Sequence, residues 1–211
     1  MSVNKDTVLK KLFSSLEEKT LSVAEKIEVQ KFLVGKPVAT VKGNVFTANS
    51  ISEAVEQTKK WAEQYSHNIT REDIGEVVLS PRGIKNSLGH EFDQKKLDAI
   101  PAIPAAIKQG KILKIEKDKS GEIDETKKNK RQMNVFLAAP IKIDNDKDIL
   151  FVRLRQNEGD STRFYVHEVF NKKDIKSAIP STAGSQANSK GRPHGGIAVY
   201  INILKDIFDV K

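Results

Sequence analysis

Apolar residues recur along this chain with two periods, near 3.6 and near 2, and the order in which the periods alternate lays out the architecture. Val8, Leu9, Leu12, Phe13 and Leu16 follow Asp6 and Thr7 at helical spacing and predict a first amphipathic helix. Ser22 and Glu25 form a capping box for a second, with Val23, Ile27 and Phe32 as its inward stripe and Gly35-Lys36-Pro37 as its stop. Residues 1–36 therefore read as an N-terminal helical hairpin. Val38, Val41, Val45 and Phe46 flank Lys42-Gly43-Asn44 in the pattern of a small β-hairpin. Ser50 and Glu53 cap the next helix, whose buried face carries Ile51, Ala54, Val55, Thr58, Trp61, Ala62 and Tyr65, so the single Trp reads as core.

Glu76 to Leu79 predicts a short strand closed by Pro81 and Gly83. Ile84, Leu88 and Phe92 then sit four apart and face inward on a short helix, leaving Lys85, Ser87 and His90 at its exposed edge. A helix over about 93–109 follows, kinked or split by Pro101 and Pro104, each of which lacks an amide donor. Residues 111–117, 133–143, 149–156 and 162–170 read as a four-stranded antiparallel meander, its last hairpin turning at Asn157-Glu158-Gly159-Asp160. A Ser-, Gly-, Asn- and Ala-rich loop over 181–196 and a closing helix or strand over 197–208 complete the chain. The expected class is α+β: helices packed on a four- to five-stranded antiparallel sheet, divided into the hairpin 1–36, a main domain 37–170 and a basic tail 171–211.

With 38% hydrophobic residues, 211 residues can fill a substantial core. The absence of Cys excludes disulfides, thiolate zinc sites and a cysteine nucleophile, and four scattered His give no metal cluster, so no cofactor and no metal are expected. Neither a long apolar run nor a signal-peptide core occurs, which predicts a cytoplasmic protein without membrane contact. Half of the net charge of +8 falls in the short tail, where residues 171–211 hold seven basic and three acidic groups, while the rest of the chain is nearly balanced. That distribution suits a polyanionic partner.

The last hairpin carries the most specific chemistry. A turn centred near Gly159 pairs Arg153 with Tyr165, Phe151 with His167 and Arg155 with Arg163, all on one face, while Val152, Leu154, Phe164 and Val166 point into the core. Clustered guanidiniums repel one another until an anion joins them, and they grip phosphate oxygens two at a time. With an imidazole to move protons and a phenol to steady a developing oxyanion, the set matches metal-independent phosphodiester cleavage in RNA. The structural alternative pairs these arginines with Glu158, Asp160 and Glu168 on an ordinary solvated sheet face. His67 at a helix end, His194 in the glycine-rich tail and the run Lys127-Lys128-Asn129-Lys130-Arg131 are weaker candidates that suit surface positions.

The ordered set of Glu76-Val77-Val78-Leu79-Ser80-Pro81-Arg82-Gly83-Ile84-Lys85-Asn86-Ser87-Leu88-Gly89-His90, the proline-interrupted Leu97 to Pro104, Val135 to Lys142 and Tyr165-Val166-His167 resembles the nuclease-like domains of phage and mobile-element polyvalent proteins and of MuF-type head proteins. These are grouped with the barnase, EndoU, colicin and RelE superfamily (the BECR fold), and the likeness covers roughly residues 37–170. The resemblance implies a metal-independent, toxin-like endoribonuclease acting on RNA, including tRNA, with an immunity or antitoxin protein as a possible partner. It implies catalytic roles for His90, His167, Arg153, Arg155 and Tyr165 and substrate contacts from Lys85 and Ser87, to which the hairpin face adds Arg163 as a substrate contact. It gives no reason for the N-terminal hairpin. A non-catalytic module that docks nucleic acid or protein uses the same face without turnover, and a purely structural assembly module uses neither.

Overall fold

A computed structural model describes residues 17–65, 68–79, 81–89, 93–117, 132–156, 163–171 and 195–209. In chain order these form α1 (Val23–Val34), β1 (Ala39–Val41), α2 (Ile51–Glu63), β2 (Asn68–Arg71), β3 (Gly75–Val78) and α3 (Pro81–Gly89). There follow α4 (Gln94–Ala99), a 3-10 turn (Ile100–Ala102), α5 (Ile103–Gln109), β4 (Lys111–Lys117), β5 (Met133–Ile143), β6 (Asp146–Gln156), β7 (Arg163–Phe170) and α6 (Gly195–Phe208). The predicted 1–16 helix, the Asn157–Asp160 turn, His67, His90, His194, the Lys127–Arg131 run and the 181–194 loop lie outside the described residues.

The seven strands make one mixed sheet in the order β1-β5-β6-β7-β3-β2, with β4 sharing the β5 edge with β1. The expected β4-β5-β6-β7 meander is present and antiparallel. The sheet is nevertheless neither purely antiparallel nor limited to five strands, because β1 runs parallel to β5 and β3 parallel to β7. For β3 and β7 the physical reason is a crossover: α3, α4, α5 and the strands β4 to β6 all intervene between them, and a connection of that length permits parallel pairing. The small hairpin expected at Gly43 does not form. Val38 and Ala39 instead join the end of β5, and Gly43 and Asn44 are anchored through their amides to Asp144 and Asp98. Strand β2 was not predicted, since Ile69 is its one buried residue and four residues are too few to reveal alternation.

Both sheet faces are covered. On one, Val77, Val135, Leu137, Val152, Leu154, Phe164 and Val166 meet the apolar sides of α2 to α5. Trp61 lies here against Phe46 and Tyr65. The prolines divide the 93–109 helix as expected, into α4, the 3-10 turn and α5. On the other face, Leu113, Phe136, Ala138, Phe151 and Phe170 are capped by Val29 and Leu33 of α1 and by Tyr200, Ile201 and Ile207 of α6. Phe151, expected on an exposed surface, is thus sealed by α6. The stripe predicted for α1 is also corrected: Val23 is 60% exposed, whereas Val29 and Leu33 are buried. This helix is apolar on more than one side, so periodicity alone does not fix its rotation.

Candidate functional site

Strand alternation sends Arg153 and Arg155 to the face opposite Val152 and Leu154, beyond the part that α1 and α6 cap. β7 brings Tyr165 and His167 to the same side by a different register from the predicted one. Arg155 pairs with Tyr165 and Arg153 with Glu168, and the register shifts between Arg153 and Leu154 so that His167 is the additional residue of a bulge. On the Arg155–Tyr165 side of the bulge the ladder is displaced by two residues from the predicted one, and an even displacement preserves which side each chain faces, which is why the predicted grouping appears despite incorrect partners.

The arginines have distinct surroundings. Arg153 Nη1 donates to Glu168 Oε2 at 3.1 Å, its Nε donates to Asn134 Oδ1 at 3.3 Å, and its guanidinium carbon lies 5.6 Å from the Phe136 ring centre. It is a largely buried, paired cation. Arg155 Nε donates to Gln132 Oε1 at 3.0 Å. Arg163 is half-exposed at the strand start and pairs with Glu76 of β3 at 2.7 Å. The alternative reading is therefore realised for Arg153 through Glu168, while Arg163 finds a partner that sequence did not indicate.

Tyr165 and His167 meet edge to face with ring centres 5.8 Å apart, both partly exposed. Close to Arg153 and Glu168 the fully buried Tyr200 donates its hydroxyl to Leu137 O at 3.3 Å and meets the rings of Phe136 and Phe170 edge to face and that of Phe151 at a tilt. Burial pushes its phenol well above the usual range, with Arg153 pulling down and Glu168 pushing up. Tyr200 therefore stays protonated and serves as floor rather than base.

Helix α3 lies on β7 so closely that a Cβ on Gly83 would be 1.7 Å from Val166 O. Ser87 belongs to this contact: it is buried, donates to Gly83 O at 2.7 Å and accepts from Val169 N at 2.8 Å. Its place is the α3–β7 seam rather than an exposed edge. Lys85 is exposed on the same helix. The buried Lys96 donates to Ser87 O at 3.0 Å and places a cation at the carbonyl end of α3. His90 follows α3 directly and is outside the described residues; the side of the sheet opposite Val152 and Phe164 carries Arg153, Arg155, Arg163, Tyr165 and His167.

Sequence reasoning passed over Gln132, Asn134 and Tyr200. Gln132 and Asn134 flank Met133 at the head of a long apolar run, and their spacing of two is the signal that both face the arginines. Among the described residues no group of His, Asp and Glu has the arrangement of a metal site, and no helix is long and apolar enough to cross a membrane.

A family model, the large polyvalent protein-associated domain 3, matches residues 49–165. No curated protein and no solved structure matches the chain.

Proposed function

Because the chain belongs to the large polyvalent protein-associated domain 3 family, we propose that it acts within a phage or mobile-element protein as a metal-independent endoribonuclease. The observation that supports this reading is the β7 bulge, which sets His167 and Tyr165 on the arginine-bearing side of the sheet. In the proposed step the neutral imidazole of His167 takes the proton of a ribose 2′-hydroxyl, and the 2′-oxygen bonds to the adjacent phosphorus. Arg155 carries the charge of the crowded phosphorane. The P–O5′ bond then breaks and the 5′-oxygen receives a proton, leaving a 2′,3′-cyclic phosphate and a 5′-hydroxyl. His90 is the candidate donor of that proton. Arg153, engaged by Glu168, positions the strand rather than holding phosphate.

The test is cleavage of total bacterial RNA and tRNA by the purified chain in EDTA, with end-group analysis. Wild type is expected to leave cyclic phosphate ends, and His167→Ala to lose at least about a hundredfold in rate. Folded wild-type protein that cuts nothing overturns the reading.

The pairing of Arg153 with Glu168 and of Arg163 with Glu76 favours a second reading, a module that docks nucleic acid or a protein partner without turnover. It predicts salt-sensitive RNA association that is unchanged in His167→Ala.

A further inference from the structure

The polar floor of this site has its hydrogen-bond acceptors turned toward the arginines. A guanidinium donates only, so the contact of Arg155 Nε with Gln132 Oε1 fixes which way that amide points. Arg153 Nε fixes Asn134 through Oδ1 in the same manner. The consequence at Gln132 is specific: the residue is 5% exposed, and its Nε2 is buried without an acceptor among the described residues. A buried amide donor left in that state is costly, and a ligand that supplies an acceptor recovers the loss.

Resting on the ribonuclease reading, we propose that Gln132 is a specificity residue whose Nε2 donates to a nucleobase carbonyl, as in uracil or guanine, next to Arg155. A glutamine reads adenine with both halves of its amide, the oxygen receiving the amino group. Here the oxygen already accepts from Arg155 while the donor half has no partner among the described residues, and that unpartnered donor matches a keto oxygen. Phosphate is the business of the guanidiniums, whereas a neutral amide donor discriminates among bases. Tyr165, partly exposed on β7 and opposite Arg155 across the β6–β7 ladder, offers a ring on which an unstacked base can lie. The ligand is accordingly a nucleotide of single-stranded RNA with a carbonyl-bearing base.

Calorimetric titration of the full chain with 3′-UMP, 3′-GMP, 3′-AMP and inorganic phosphate tests this without requiring turnover. The keto nucleotides are expected to bind about tenfold or more tighter than 3′-AMP and phosphate, as one well-placed hydrogen bond allows. Gln132→Leu, confirmed folded by its melting curve, is expected to erase that preference. Gln132→Glu, which replaces the donor by an acceptor, is expected to disfavour the keto bases. Equal affinity for all three nucleotides, no nucleotide binding at all, or a preference that persists in Gln132→Leu overturns the assignment. RNA cleavage in EDTA without base preference defeats this inference and spares the ribonuclease. A Gln132-dependent preference without cleavage does the reverse.

Discussion

Arg153 and Glu168 oppose each other across the β6–β7 ladder with a 3.1 Å ion pair whose side chains retain only 15% and 9% exposure. The pair adjoins the His167 bulge and faces the buried Tyr200. Removing one member strands the other charge in a poorly solvated place, at a cost of about 3–5 kcal/mol. Glu168→Ala and Arg153→Ala are each expected to lose stability on that scale in urea unfolding. The double replacement Arg153→Ala with Glu168→Ala is expected to lose clearly less than the sum of the two single losses. Additive losses in the double-mutant cycle would show that the two charges are not coupled.

Gly83 permits the backbones of α3 and β7 to touch. With a Cβ only 1.7 Å from Val166 O, Gly83→Ala forces helix and strand apart, and overpacking of that kind costs about 1–3 kcal/mol, with rigid backbone on both sides favouring the upper end. Thermal unfolding of Gly83→Ala should show a clear fall in Tm. An unchanged Tm would mean that the two elements separate freely.

Ser87 acts through the same seam. Ser87→Ala leaves the Val169 N–H without its acceptor in a buried position, and a loss of about 1–3 kcal/mol is expected in chemical denaturation. Ser87→Thr retains a hydroxyl and should lose less if the side chain fits. An alanine variant as stable as wild type would contradict the role.

The α1 cap makes stability depend on pH. Lys19 contacts Glu25 at 2.9 Å, and the Ser22 amide and hydroxyl both donate to its carboxylate, which together lower its pKa from 4.5 to about 2. Because the folded value lies below the ordinary one, the contribution is present above about pH 4.5 and is lost as pH falls toward 2. Wild type and Glu25→Gln are therefore expected to differ in Tm at neutral pH and to converge near pH 2. A constant difference across that interval would exclude the mechanism.

The sequence reveals those features whose cause is local. The Ser22–Glu25 box, the break at Pro101 and Pro104, and the alternation that separates Arg153 from Val152 all depend on neighbours a few residues away. The parallel β3–β7 pairing does not, since Val77 and Phe164 are brought together by everything between them. The rotation of α1 depended on which apolar side Tyr200 and Phe136 would meet. The His167 bulge changes partners without changing sides, so the candidate site was legible as a grouping and illegible as a geometry. Glu168 and Gln132, which orient the arginines, carry no motif of their own.

The position of β7 has a consequence for how the molecule is made. One flank of the sheet, β2 with β3, is synthesised early, and the other, β4 with β5 and β6, comes later; they have no ladder between them except through β7. Residues 163–170 must therefore leave the ribosome before the two flanks can be stitched into a continuous sheet, and the ordering of so long a loop makes that closure slow. Until then the exposed margins of β3 and β6 are open to mispairing, so a truncated chain ending before Arg163 is poised to aggregate rather than to wait.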